Sequence, residues 1–340
     1  MKEVTTIGLD IAKQIFHAHG AGSSGAPVFS RRITRQKLIQ FFASQPRCVV
    51  AMEACAGAHH WGRELMRLGH EVRLIPPAYV KPFVKRQKND AADAEAICEA
   101  AQRPTMRLVP VKSEAQQASA AVFRARDLLV RQRTQLLNAL RGLLAEHGWV
   151  APKGLFHASA IMAKIEGPSC ELPASARDVF LVMIASVRAL DERIHLLDRE
   201  ITKRAREDET ARRLMTIPGI GPITATALLA LAPAPESFRK SRDFAAWVGL
   251  TPLQRSTGGK AKLGSITRMG ERTLRRLLIL GSAAVVLHAS KRGAAKGSWL
   301  EQMMARKPRM LVTVAFANKT ARIVWALLAK GGVYRAPAVA

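Results

Sequence analysis

EVTTIGLDIA, residues 3–12, runs through Ile7 and Leu9 into a single acid at Asp10. Its β-branched, largely apolar run with polar interruptions reads as a short strand that ends on a carboxylate. AGSSGAP, residues 21–27, supplies turn chemistry, VFSRRI at 28–33 returns as a strand, and RQKLIQFFAS at 35–44 reads as a helix. RCVVAMEA at 47–54 and HEVRLIPP at 70–77 repeat the strand signature around the amphipathic AHHWGRELMRLG, residues 58–69, which closes on Gly69 as a C-terminal cap. Strands and helices therefore alternate to about residue 110, which predicts an α/β sheet domain that opens with a β-meander.

Beyond it the texture becomes helical. Residues 113–148 form one long pattern, with Val122, Leu129, Leu136 and Leu143 at heptad spacing. EGPSCELPAS at 166–175 breaks it, and a second long helical pattern follows to Asp208. The predicted organisation is a sheet domain over 1–110, a long helical or coiled-coil linker over 111–208, and a mainly α-helical domain over 209–340. Arg124, Arg126, Arg131, Arg133 and Arg141 point outward in this reading, as a solvated face or a nucleic-acid track.

Charge indicates the class of partner. The chain holds 53 Lys and Arg against 26 Asp and Glu, a formal net charge of +27, while 48% of its residues are hydrophobic. A folded chain with so cationic a surface is built to meet a polyanion, and nucleic acid is the expected one. The excess is concentrated late, since residues 251–340 carry 17 basic residues and two acids, Glu271 and Glu301. The longest apolar run near the end, LLILGSAAVVL, has 11 residues, and the N-terminus lacks a signal-peptide core, so no membrane partner and a cytoplasmic location are expected. Cys48, Cys55, Cys98 and Cys170 show neither zinc-site nor disulfide spacing and are expected to be buried thiols.

The acids are few enough for their placement to matter. Asp10 ends an apolar strand and Glu53 falls within or just after another, where strand ends tolerate acids. Asp90 and Asp93 stand three apart at the start of a predicted helix, on one face, where acids also favour the helix N-terminus. Their conjunction is the stronger signal. Four clustered carboxylates repel one another unless cations neutralise them, and oxygen donors suit Mg²⁺ or Mn²⁺. Paired ions of this kind support displacement at a phosphodiester. His59, His60 and Trp61 lie on an amphipathic helix and are read as packing and capping residues.

These residues resemble the acidic tetrad of RuvC-type, ribonuclease-H-like nucleases. More narrowly, GLDIAK, MEACAGAHHWGREL and KNDAADAEAI, with IPGIGPITATALLA at 217–230 and WVGLTPLQRSTGGKAKLGSITRMGERTLRR at 247–276, resemble the insertion-sequence one-ten transposases of the one-eleven-eleven subgroup. The likeness spans nearly the whole chain in order. It implies a RuvC-like N-terminal domain whose Asp10, Glu53, Asp90 and Asp93 bind the metal. It also implies a serine nucleophile that forms a covalent phosphoserine with DNA, and a structured guide (bridge) RNA that pairs with donor and target DNA.

In the C-terminal part, two helices joined by Gly219-Ile220-Gly221 near residues 214–232 have the form of a helix-hairpin-helix, or of an ordinary tight turn. In the first case backbone N–H groups meet a phosphate, Pro218 pre-sets the turn, and the following helix adds partial positive charge. Further on, Ser256 stands among Arg255, Lys260, Lys262 and Arg268, with Gly258 and Gly259 leaving room for a DNA backbone. Composition alone makes this a phosphate-binding loop. The resemblance assigns the nucleophile to Ser256, although Thr257 departs from the paired serines or Ser-Gly of relatives and Ser265 is a further hydroxyl. The resulting expectation is a nucleoid-associated bacterial transposase or recombinase, a dimer or tetramer, that cuts and rejoins DNA. A hydrolytic RuvC-type junction endonuclease and a non-catalytic nucleic-acid-binding protein are the alternatives. Residues 300–332 read as apolar helices with basic faces.

Overall fold

The computed structural model describes residues 3–85 and 89–336, so Lys88, at the head of the KNDAADAEAI segment, and residues 337–340 lie outside it. The chain divides into two compact units, Met1–Gln117 and Ala118 onward, with the division inside one long helix.

The first unit holds a five-stranded sheet in the order β3-β2-β1-β4-β5, formed by Thr6–Asp10, Ile15–Ala21, Pro27–Thr34, Val49–Glu53 and Glu71–Ile75 for β1 to β5. Strands β1, β2 and β3 form the expected antiparallel meander, whereas β4 runs parallel to β1, and β5 parallel to β4. Helix α1 (Leu38–Ala43) precedes β4, α2 (Ala58–Arg67) links β4 to β5, and a short α3 (Pro77–Val80) precedes α4 (Asp90–Ala101). Gly69 closes α2 with φ +89 and donates its N–H to the Met66 carbonyl at 3.0 Å, the predicted cap.

Strand alternation sorts the side chains to two faces. Ile7, Leu9, Phe16, Ala18, Val50 and Met52 meet Leu38, Phe42, Trp61 and Leu65 of α1 and α2 in one buried cluster. The opposite face carries Ala51 and Ile75 against Ala96, Ile97, Ala100 and Ala101 of α4. Small residues allow the close approach. A Cβ placed on Gly8 would collide with the Ala94 carbonyl oxygen and come within 2.5 Å of the Cys98 backbone nitrogen. Glycine in a central strand therefore marks the seat of α4.

Helix α5 (Glu114–Ala145) and helix α7 (Ala174–Glu207) are the two long helices, and α6 (Leu155–Glu166), which the sequence pattern did not separate, lies between them. Within the second unit α5 and α7 run antiparallel: Arg126 pairs with Asp198, and Arg133 reaches Asp191 at 2.5 Å. Both arginines therefore belong to the helix contact and not to an outward track, with side chains 18% and 15% exposed. Arg131 bonds its own helix at the Asp127 carbonyl, and Arg141 donates to Asn138 and to the Gly154 carbonyl. The buried seam of α5 is also offset by one position from the predicted heptad. Leu137, Leu140 and Leu144 pack on Met162, Phe180, Ile184 and Val187, while Leu143 is 46% exposed. Val122, Leu129 and Leu136 are half-buried beside this seam, and the partner helix sets the angle of the face.

The remaining helices are α8 (Glu209–Leu214), α9 (Pro222–Leu231), α10 (Ser241–Trp247), α11 (Arg272–Arg292), α12 (Trp299–Arg306) and α13 (Arg309–Lys330). Strands β6 (Pro252–Gln254) and β7 (Leu263–Ile266) form an antiparallel ribbon between α10 and α11. Helices α11 and α13, of 21 and 22 residues, are long and apolar enough to cross a membrane. They place Leu274, Leu278, Ala317, Ala321 and Val324 in the same core as Leu228 of α9 and Phe244 of α10.

Candidate active site

Asp10 and Glu53 occupy the C-terminal ends of adjacent parallel strands, since Leu9 registers with Met52 one residue earlier. Alternation turns both to the α4 face, because Gly8 and Ala51, two residues before each, lie under that helix. Asn89 caps α4, its side-chain oxygen accepting the Ala92 N–H at 2.7 Å. The capping role that Asp90 or Asp93 could have taken is thus filled by Asn89. Oxygens of Asp10, Asp90 and Asp93 lie within 4.8 Å of one another.

The mutual repulsion is visible at Asp10. Burial raises its carboxyl above the ordinary value, the charges of Asp93 and Asp90 raise it further, and His17 and the Ile11 backbone N–H oppose them. Partial desolvation of its sulfur raises the Cys55 thiol pKa, and the charges of Glu53, which stands outside the three-acid group, and of Asp10 raise it further. Cys55 is exposed and Cys170 half-buried, whereas Cys48 and Cys98 are buried, so the expectation of buried thiols holds for that pair alone. The turn after β4 carries Cys55 to the surface.

His17 was not singled out in the sequence. It registers directly with Asp10 on β2, and its Nε2 lies 4.0 Å from Asp90. The signal was present in the meander, because an alternating strand that pairs with β1 must place one residue opposite its terminal acid. His59 accepts a hydrogen bond from the Lys112 N–H at 3.2 Å, and Trp61 packs edge-on to Phe16 and beneath Arg35. Trp61 fits the packing reading and His59 caps a backbone N–H, while His60 is exposed and lies edge-on to Trp61.

The second unit presents a different kind of site. Ser256 lies on the β6–β7 ribbon, whose residues from Pro252 to Ser265 are all exposed. Arg255 donates its N–H to Lys262 at 2.8 Å, and Thr257 and Lys260 exchange backbone hydrogen bonds. Gly258 and Gly259, with φ +53 and +76, form the tip. Two positive φ values between paired residues are the signature of a type I′ hairpin, so the glycines make the turn as well as clearing space. Alternation sets Arg255, Thr257, Lys260 and Lys262 on one face of the ribbon and Ser256 on the other. The cations flank the serine without sharing its face. Arg268, beyond the ribbon, is the one non-glycine residue with positive φ, +56, among the described residues.

The Gly219-Ile220-Gly221 corner lies between α8 and α9, and its two glycines differ. Gly219, with φ +86, abuts α11: a Cβ there would lie 2.7 Å from the Gly281 carbonyl oxygen. Gly221 is exposed, with open space around its Cα and no side-chain cap on α9.

Comparison with known proteins fits this division. Residues 7–148, which contain all four acids, match the family model of the DEDD transposase domain, and residues 211–297, which contain both glycines and the ribbon, match that of the IS116/IS110/IS902 family transposases. The chain is 46% identical over 334 residues to a Pseudomonas aeruginosa protein described as a "probable family 20 transposase", covering 98% of this chain and 99% of that one. It is 40% identical to the transposase for insertion sequence element IS1328 of Yersinia enterocolitica, covering 98% of this chain and 99% of that one. It is 37% identical to the transposase for element IS1111A of Coxiella burnetii, with 98% and 92% covered. The chain belongs to the IS116/IS110/IS902 transposase family. This transposase is therefore an enzyme of insertion-sequence transposition that acts on DNA, and its DEDD domain carries the RuvC-like fold that the mixed sheet displays. The all-oxygen donor set of Asp10, Asp90 and Asp93 fits the divalent metal such a domain uses.

Proposed function

We propose that this transposase cuts and rejoins DNA strands through a covalent phosphoserine at Ser256, with the Asp10, Glu53, Asp90 and Asp93 tetrad holding Mg²⁺ or Mn²⁺. The observation that carries the reading is the convergence of Asp10, Asp90 and Asp93 to within 4.8 Å. A helix N-terminus favours Asp90 and Asp93 singly, but bringing both against Asp10 adds repulsion that a bound cation would relieve. Divalent ions bound there would stabilise charge on a phosphodiester and favour loss of a hydroxyl proton. The Ser256 Oγ attacks phosphorus, its new bond replaces one phosphorus–oxygen bond to deoxyribose, and the serine proton passes to the freed sugar oxygen. The linkage energy is kept for rejoining, so no external energy source is needed.

Arg255, Lys260, Lys262 and Arg268 would bind the DNA backbone around the serine, and Gly258 and Gly259 keep the ribbon tip slender. Gly221 and the uncapped start of α9 would receive a further phosphate in helix-hairpin-helix fashion. Phosphate contacts position DNA without reading it. A structured guide RNA that pairs with donor and target DNA would supply the sequence choice, which suits a protein whose charge is directed at backbones. A homo-oligomer, dimer or tetramer, would engage both DNAs.

The test compares Asp10→Asn with Ser256→Ala on labelled element-end DNA in the presence of copurified RNA. Both changes abolish strand cleavage, and denatured wild-type protein carries DNA on Ser256 through a phosphate. Continued cutting by Ser256→Ala would replace this reading with hydrolysis by the acidic site. Sequencing the copurified nucleic acid for one discrete RNA tests the guide.

A further inference from the structure

A groove of about 1220 Å³ lies wholly within the second unit, between α13, α11, the start of α12 and the base of the β6–β7 ribbon. Its lining mixes two chemistries. Ile266, Trp299, Met310 and Leu311 offer apolar surface, with Met310 63% and Leu311 50% exposed. Arg268, Arg275, Lys319 and Arg322 supply positive charge, and none of the described residues that line it is acidic.

The backbone of Arg268 and the guanidinium of Arg275 are held in place. Gly249 and Gly270 seat the 267–270 loop hard against residues 247–249, a Cβ at either approaching the opposing backbone to 2.7 Å at Met269 N or 2.9 Å at Trp247 C. That seating fixes Arg268 at φ +56, a conformation a non-glycine residue adopts only where its surroundings enforce it. Arg275 donates to the Val248 and Met269 carbonyls at 2.9 and 2.7 Å. Burial lowers its pKa, and Arg268 and Arg272 lower it further against the opposing charge of Glu271. Like charges have been gathered where an anion would relieve them.

We infer that this groove binds an unpaired polynucleotide strand, its phosphates at Arg268, Arg275 and Arg322 and its bases against Trp299, Met310 and Leu311. A duplex presents phosphates but hides the faces of its bases, and a protein helix offers apolar surface without an anionic rail. An unpaired strand presents both at once. The opening exceeds the roughly 300–1,000 Å³ of small-molecule clefts, as a polymer segment requires. Because Pro252, Gly264 and Ile266 at the base of the ribbon also line it, a strand lying here runs toward Ser256. This site adds to the strand-transfer reading and can fail without it.

The experiment uses the full-length protein with oligo(dT) and oligo(U) carrying 4-thio bases, photocrosslinked and mapped by mass spectrometry. Adducts are expected within residues 299–322. In anisotropy titrations Leu311→Glu and Arg322→Glu weaken binding of the unpaired strand about tenfold or more, the loss expected when stacking and a phosphate contact go, and weaken binding of a blunt duplex far less. The stronger of the dT and U arms identifies DNA or RNA as the source of the strand. Adducts confined to other segments, or equal weakening of duplex and single strand, overturn the proposal. So does loss of oligomerisation in Leu311→Glu with single-strand affinity intact, which makes the groove a contact between copies. A retained Ser256–DNA adduct in a protein that gives no such crosslink retires the groove alone.

Discussion

Replacing Gly8 with alanine tests how the acidic site is assembled. The new methyl would sit 2.5 Å from the Cys98 nitrogen and 2.7 Å from the Cys98 Cβ, and closer still to the Ala94 carbonyl. Two of these three atoms are backbone, so no side-chain rotation relieves the clash. Restoring ordinary contact moves α4 away from β1 by roughly 1 Å, since well-packed interiors have no slack to absorb it. Overpacking of this kind costs about 1–3 kcal/mol. The functional loss is larger, because Asp93 directly precedes Ala94, and a displacement near 1 Å in a reacting constellation reduces rate about 100-fold. Gly22→Ala is the control: its methyl would meet the Glu3 carbonyl at 3.4 Å, an ordinary contact. The assay follows thermal unfolding together with Mg²⁺-dependent strand cleavage. Gly8→Ala lowers the Tm by several degrees and requires more Mg²⁺ for much less cleavage, while Gly22→Ala changes neither. Wild-type cleavage by Gly8→Ala at low Mg²⁺ refutes the claim that the β1–α4 contact sets the position of the acids.

Other outcomes follow from the same contacts. Because the folded-state pKa of Asp10 is raised, the folded protein binds the proton more tightly, and stability is lost as pH rises from about 4 through the folded value. Asp10→Asn therefore unfolds at higher urea than wild type at pH 7 in chelator, and this advantage shrinks toward pH 3.5; equal midpoints at pH 7 contradict it. Arg126→Ala removes a two-bond, part-buried pairing with Asp198 and destabilises by about 1–3 kcal/mol, and a double-mutant cycle with Asp198→Ala shows clear coupling. Gly219→Ala, strained by both its φ of +86 and its contact with Gly281, lowers the Tm, whereas Gly221→Ala leaves folding intact and weakens duplex binding in a filter assay.

The first unit was legible because its signals are local. An apolar run that ends on Asp10, turn residues at 21–27 and a second apolar run at Glu53 mark the strands and the opening meander, while the parallel pairing that sets the two acids side by side comes from the fold. What the pattern could not convey was distance. Gly8 appears in sequence as a weak strand residue, and only the packed helix shows that it brings Asp90 and Asp93 to Asp10. The long helices show the converse. Spacing predicted α5 and α7 closely, and Arg124 and Arg131 are exposed as read, but Arg126 and Arg133 were misassigned because their partners Asp198 and Asp191 lie more than 55 residues away on the antiparallel helix. Helix periodicity defines a face, and the chain's return path determines what covers it. The glycine pair at 258–259 held more than was taken from it, since two glycines between Thr257 and Lys260 also specify a hairpin tip.

The two sites rest on different kinds of support, and this predicts how their variants separate. The acids are fixed by backbone packing in a buried layer, so their repulsion is sustained by the folding energy of the whole unit. A cation that binds only the folded form then returns stability in proportion to RT ln(1 + [L]/Kd). Substitutions beneath the acids must therefore alter both unfolding and metal dependence. The Ser256 ribbon takes its register from hairpin hydrogen bonds and buries none of its residues from Pro252 to Ser265. Surface changes away from core features usually shift stability by less than about 0.5 kcal/mol. Variants at Arg255, Ser256, Lys260 and Lys262 should thus leave the melting curve in place while DNA chemistry or affinity falls. Should they unfold the second unit instead, the ribbon would be part of its core architecture, and its exposed hydroxyl would lose the physical argument for a role at DNA.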